Sequence, residues 1–460
     1  MLLPFLLALT QAAALQAPAD GETMRFEYFR QRDRIEADGA IERTLEVSVH
    51  LKTPTAVRQF GQLAIPYVKD YGDVQFNAVR VRKADGSSRA VTDARLEDLN
   101  PFGINDASIP IDMRLRKLTI PGLEPGDRLS YTIVHKTKPI IPGHAFNEVK
   151  FLPLTINEPQ IYELDIPASS SLNVTLRNGL GADWEVLPGD SQRLVRRLKV
   201  TVPQLVVSTT GLTEAQSRAL QDPDVMITTF KSWDEVATWW WGLASSKVSG
   251  DATIKAEAQR LVAGLKTPRE KAAALARFVG STIRYLNVAF GLGRMQPREA
   301  GAVLSSRYGD CKDKVALLMS LGQAAGLDIR PVLISATRFD LVDSSPSPIQ
   351  FDHVVAVAVL GPTEKDWLWL DATDALSSPL RLASPLRDKR ALFVDDRGGG
   401  AMVQTPAAPG EPSQTAVTIQ AALNAQGVLK GRARMESRSD GEPSCEPPSQ
   451  PSLRSSAPSC

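Results

Sequence analysis

The sequence predicts an α+β protein. It reads as an N-terminal β-sandwich, then a core that opens with helices and closes with strands, then a truncated β-hairpin and a disordered tail. Three observations predict this order. Residues 24–212 hold many short alternating apolar runs parted by Gly- and Pro-rich turns. From about residue 228 the apolar spacing becomes helical, and after about residue 329 strands return.

Composition sets the outer bounds. The chain has 460 residues, room for roughly three domains at about 150 residues each. With 53 Lys+Arg against 52 Asp+Glu, the net charge is +1. No global field attracts nucleic acid or an anionic membrane. Apolar residues at 43% and charged residues at 23% are ordinary for a soluble globular protein. Beyond the first residues no apolar run approaches the ~20 residues of a spanning helix, so no stable membrane insertion is expected.

Residues 1–17 begin with Leu2, Leu3, Phe5, Leu6 and Leu7 and end in small residues. That pattern reads as a secretory signal, which places the mature protein in the periplasm or another extracytoplasmic space. The β-rich region follows at 24–212. Residues 43–51 alternate with period two, apolar at Leu45, Val47, Val49 and Leu51. Asp85-Gly86 marks a turn, and 115–134 read as two strands around Gly and Pro. Further strands are expected near 160–166, 172–176 and 194–202. His50 reads as an ordinary strand residue.

The second region spans 228–400. Ser232 and Glu235 have capping-box spacing, and helices are expected at 254–265 and 268–283. Thr267 caps the latter and Pro268 occupies its first turn. Trp239, Trp240 and Trp241 cannot all face one core, because successive helical residues point about 100° apart. At 415–436 a hairpin opens a further β-domain that breaks off. Residues 437–460, with eight Ser and five Pro, should be disordered.

The chemistry concentrates after Tyr308. Asp310 is a good N-cap, which puts Cys311 in the first turn of a helix that Gly326 ends. A thiol there lies at the positive end of the helix dipole. Lys312 and Lys314 add positive charge, while Asp310 and Asp313 oppose them. His353 lies in the strand 351–360, and Asp371 closes the next, 367–371. The two strands should form a hairpin near Pro362 or Thr363. If paired residue numbers add to 724, His353 faces Asp371. If they add to 726, the two are diagonal neighbours on one face, and an odd sum would separate them. Cys, His and Asp so placed suit attack by a thiolate, proton shuttling by the imidazole and orientation by the carboxylate. The N–H of Cys311 is a natural oxyanion donor, and Gln296 is a candidate second one. With three Cys and four His, neither a disulfide framework nor a multi-His metal site is expected. A zinc site on the same Cys, His and Asp is the alternative.

Tyr308-Gly-Asp-Cys-Lys-Asp-Lys, Phe351-Asp-His-Val-Val and Trp367-Leu-Trp-Leu-Asp-Ala-Thr-Asp together resemble the bacterial transglutaminase-like superfamily, of papain-like fold. Ile283-Arg-Tyr and Met295-Gln-Pro-Arg-Glu-Ala fit the same pattern. The β-rich half resembles an uncharacterised domain that often precedes this core in exported bacterial proteins. The resemblance implies Cys311 as nucleophile, His353 as base and Asp371 as its orienter. It implies thiol-dependent hydrolysis or transfer of an amide acyl group from a protein or peptide, with no cofactor and no metal. The other reading is an inert exported binding or assembly module with a vestigial core. The loop 340–350, rich in Ser and Pro and leading into His353, reads as a lid beside the substrate.

Overall fold

The alternating runs of the first half form strands that lay one apolar face onto a core. The computed structural model describes residues 23–100, 113–139, 141, 143–151, 154, 156–177, 184–188, 191–200, 223–248, 250–286, 295–337, 340–373, 380–407, 414–425 and 429–438. The expected signal, 1–17, and most of the expected tail lie outside them. The chain divides into two units: Met1–Val236 with Val288–Arg294 and Leu341–Gln350, and Ala237–Asn287 with Met295–Asp340 and Phe351–Cys460.

The first unit contains β1 (Met24–Ile35), β2 (Ile41–Leu51), helix α1 (Pro54–Phe60), β3 (Gln62–Val68), β4 (Gly72–Arg82), β5 (Ser88–Ala90), β6 (Arg95–Leu99) and β7 (Met113–Thr119). It continues with β8 (Arg128–Thr137), β9 (Phe146–Val149), β10 (Gln160–Pro167), β11 (Asn173–Leu176), β12 (Glu185–Leu187), β13 (Arg193–Val200) and β14 (Val225–Thr228). Eight of these strands make one sheet, ordered β12-β13-β10-β1-β2-β8-β4-β5, in which β1 and β10 run parallel and the other pairs antiparallel. Two three-stranded sheets, β3-β7-β6 and β11-β14-β9, complete the unit. Two apolar clusters form. One gathers around Val47, Val49, Leu51, Leu129 and Tyr131. The other gathers around Ile35, Tyr162, Leu164 and Leu198, with Val225 and Ile227 of β14 packed among them.

The strand registers put both clusters on one face of the eight-stranded sheet. The opposite face is charged, and Arg30, Arg32, Glu46, Glu163 and Arg197 line an open groove of about 500 Å³ on it. Ion pairs such as Arg197–Glu163 (2.7 Å) run along that face, as suits the solvated side of an antiparallel sheet. The segment Leu341–Gln350 packs in this unit. Thr228 Oγ1 donates to Pro346 O (2.7 Å), Ser345 Oγ to Thr175 Oγ1 (2.7 Å), and Gln350 Nε2 to Val342 O (3.2 Å). Residues 345–350 are buried. The Ser- and Pro-rich loop is therefore anchored on this unit.

The second unit contains α2 (Trp233–Ala244, whose first turn belongs to the first unit), α3 (Ala252–Val262), α4 (Pro268–Thr282), β15 (Arg284–Tyr285), α5 (Ala300–Ser306), β16 (Tyr308–Gly309) and α6 (Cys311–Ala324). Then come β17 (Ile329–Ile334), β18 (His353–Val359), β19 (Trp367–Leu370), β20 (Arg390–Val394), β21 (Gly400–Gln404), β22 (Gln414–Leu423) and β23 (Leu429–Arg438). Thr267 and Glu270 close the capping box of α4. Of the three consecutive tryptophans only Trp240 is buried. Strands β19-β18-β17-β20-β21 form a five-stranded antiparallel sheet. Helix α6 packs on β17 and β18 and is also touched by α3, α4 and α5, so it is buried from Lys312 to Gly322. Among the described residues the β22–β23 hairpin pairs only with itself, and Val417 and Ile419 stay exposed.

Gly326 ends α6 with φ +73°, as the position after the helix requires. Leu327 N–H donates to Gly322 O (2.8 Å) and Gly326 N–H to Gln323 O (3.2 Å). Alanine at Gly326 meets no neighbour, so its cost is backbone strain alone. Gly326→Ala should lower unfolding free energy by about 1–2 kcal/mol, read by urea denaturation. An unchanged midpoint would mean the helix end relaxes freely.

Candidate active site

Three local features place the reactive residues. Asp310 caps α6: its side chain accepts from Asp313 N–H, and the Asp313 carboxylate accepts in turn from Asp310 N–H. Cys311 is therefore the first helical residue, half-buried, with an N–H that has no acceptor inside the helix. Gly309 must be a glycine, because a Cβ there would lie 2.7 Å from Asp313 Cβ. His353 is the first residue of β18, and Asp371 directly follows β19.

The hairpin register unites the last two. Ala356 pairs with Leu370, Val357 with Trp369 and Val359 with Trp367, so paired numbers add to 726. Asp371 is thus the diagonal neighbour of His353 on the same face. His353 Nε2 lies 3.4 Å from Asp371 Oδ2. The Cys311 side chain also acts on the imidazole, favouring its charged form. With Nε2 turned to Asp371, Nδ1 is the nitrogen left for sulfur. Asp371 Oδ1 accepts from Thr373 N–H (3.0 Å) and Thr373 Oγ1 (2.6 Å), which fixes the carboxylate.

The electrostatics follow from these contacts. Burial pulls the His353 pKa down, but the hydrogen bonds to Asp371 and Cys311 and their charges outweigh it and hold it at about 10. Burial pushes Asp371 up, and the bonds from His353 and Thr373 bring it below the usual carboxylate range. Asp310 is raised, chiefly by burial, against the opposing charge of Lys312.

The two lysines that add positive charge here are both engaged. Lys312 Nζ pairs with Asp310 Oδ2. Lys314 is buried, and its Nζ donates to Ala372 O (2.9 Å) and Gly280 O (3.4 Å), tying α4 to the peptide after Asp371. Gln296 is half-buried, two residues before Arg298. Sequence reasoning assigns no role to two further residues of the site. Arg298 clamps its own segment to α6, with Nε donating to Asp313 Oδ2 (2.9 Å) and N–H to Asp313 Oδ1 (2.8 Å). Tyr285 lies next to the first turn of α6, and the Cys311 side chain raises its pKa, second to burial. Among the described residues no group of three or more His, Cys, Asp or Glu side chains is arranged to hold a metal ion, and no helix is long and apolar enough to cross a membrane.

Known proteins bear on these observations. Residues 37–197 match the model of a domain of unknown function, DUF3857. Residues 255–371 match the transglutaminase-like superfamily, a stretch that contains Cys311 and His353 and ends on Asp371. No curated protein matches the chain. Among solved structures, a candidate protease from Parabacteroides distasonis is similar at 16% identity and a TM-score of 0.62, over 88% of this chain and 78% of that one. A candidate cysteine protease from Cytophaga hutchinsonii is aligned at 10% identity and a TM-score of 0.22, over 88% of this chain and 92% of that one. The former likeness shows a shared fold. The chain carries an N-terminal DUF3857 domain followed by a transglutaminase-like core.

Proposed function

We propose that the core is a thiol enzyme that hydrolyses or transfers the acyl group of an amide in a protein or peptide. The observation that supports this most is His353, held between Cys311 and Asp371 at the capped start of a buried helix. In this reading Cys311 sulfur attacks the amide carbon. The carbonyl π pair moves onto oxygen, where the Cys311 N–H receives it. Collapse breaks the C–N bond, and His353 gives its proton to the departing amine. Water or a second amine then attacks the thioester, with His353 taking the attacker's proton, and collapse breaks the C–S bond to return Cys311 as the thiolate beside the protonated imidazole. Asp371 holds the imidazole and stabilises its charged form. With residues 1–17 read as an export signal, the proposed place of action is the periplasm or another extracytoplasmic space.

Trapping tests this. The chain is incubated with a peptide library, quenched in acid, digested and examined by mass spectrometry. An acyl adduct is expected on Cys311 and not on Cys445 or Cys460, which serve as internal reference thiols. His353→Ala should abolish it. Adducts spread equally over the three cysteines would end the thiol-enzyme reading.

A further inference from the structure

Tyr285 neighbours the turn that carries the nucleophile and has no role in the proposed reaction. It is the second residue of β15, paired in register with Gly309, two residues before Cys311. Arg284 N–H donates to Arg307 O (2.8 Å) and Leu286 N–H to Gly309 O (3.1 Å), so the backbone is pinned on both sides of it. The Cys311 side chain is near enough to the phenol to raise its pKa, second to burial. Its ring centroid lies 6.0 Å from Lys314 Nζ, the ammonium anchored on Ala372 O. Yet Tyr285 remains 40% exposed. A ring kept only for packing would be covered. This one stands open to solvent beside the first turn of α6.

We propose that Tyr285 is the side-chain donor to the oxyanion, the partner of the Cys311 N–H. The proposal rests on the thiol-enzyme reading. In the resting site the phenol lies beside the thiol. When the S–C bond forms, the negative charge leaves sulfur for the carbonyl oxygen, which is bonded to the same carbon. A phenol beside the thiol follows that charge by a small rotation. Its proton stays on throughout: partial burial, then the negative charges of Cys311 and Asp310, hold the phenol above its ordinary range. When the adduct collapses the oxygen returns to a carbonyl, the C–N bond breaks, and the proton on the amine comes from His353. Gln296 is then not required as a donor.

Two probes separate this role from simple support of the thiol. Acylation of Cys311 by 4-nitrophenyl acetate builds an oxyanion, whereas alkylation by iodoacetamide does not. Tyr285→Phe should slow acylation by about 100-fold, the usual effect of losing one oxyanion donor. Alkylation, compared at its alkaline plateau, should stay within about threefold of wild type, which also reports an assembled site. Tyr285→Gln, which restores a donor without the ring, should recover much of the acylation rate. Equal losses in both reactions, or acylation unchanged in Tyr285→Phe, would overturn the proposal while leaving the thiol-enzyme reading intact. A wild-type Cys311 that alkylates but is never acylated would overturn both.

Discussion

Asp371→Asn is expected to cut amide turnover by about 10⁴-fold, and Cys311→Ala to reduce it to background, with little change in melting temperature for either. The peptide amide identified by trapping serves as substrate. The asparagine keeps the shape of the site but loses the charge that orients and stabilises the imidazolium. The pH profile carries the sharper test. In the proposed reaction His353 must be protonated to release the amine, so wild-type turnover should fall as pH rises through about 10. The hydrogen bond to Asp371 is the foremost cause holding His353 up against burial. Its loss should move the alkaline limb towards the ordinary histidine range near 6.5. Stability should move in parallel. A raised histidine contributes its full stabilisation below about 6.5 and loses it as pH climbs through about 10. That alkaline decline should flatten in Asp371→Asn. An alkaline limb unmoved by the substitution would mean that Asp371 does not govern His353.

The parts of this site that rest on local rules could be read from the sequence. A capped helix start placed Cys311, and two period-two runs placed His353 and Asp371 on one hairpin. The register could be narrowed only to even sums. The structure selects 726, because a short helical turn, Glu364–Asp366, is capped by the Asp366 carboxylate on Thr363 N–H (3.1 Å). Tyr285 was hidden because β15 and β16 are two residues each, too short for any periodicity, and meet by a parallel pairing of distant residues. The burial of Lys314 could not be read for a related reason. A lysine in a first turn reads as exposed, and only tertiary packing supplies the carbonyls that bury Lys314. The loop at 340–350 reads as open because Ser and Pro are common in loops. Its hydrogen bonds to Thr175 and Thr228 come from strands more than 100 residues earlier, which no local pattern announces.

The first unit holds its own long-range network, and it supports the largest stability effect expected here. Asp33 is fully buried on β1. Arg43 grips it with two bonds, Nε to Oδ1 (2.7 Å) and an Nη to Oδ2 (2.9 Å). Asn147 Nδ2 (2.8 Å) and Tyr162 Oη (3.1 Å) add neutral donors. Arg43→Met would leave the carboxylate buried with the neutral donors but without its bidentate cation. The expected loss is about 3–5 kcal/mol, measured by urea unfolding at neutral pH. Asp33→Asn combined with Arg43→Met should recover part of it, since the double variant leaves no lone buried charge. His135 supplies an independent reading of the same network. Burial, aided by the charge of Arg43, lowers its pKa to about 4. The unfolded chain therefore takes up this proton near pH 6.5 while the folded one does not until about 4, so stability falls as pH drops through that window. Without Arg43 one cause of the depression is gone, and the acid-side loss should become shallower. A loss under about 1 kcal/mol in Arg43→Met, with the acid slope unchanged, would mean that the neutral donors alone sustain Asp33 and that Arg43 is not the anchor of the network.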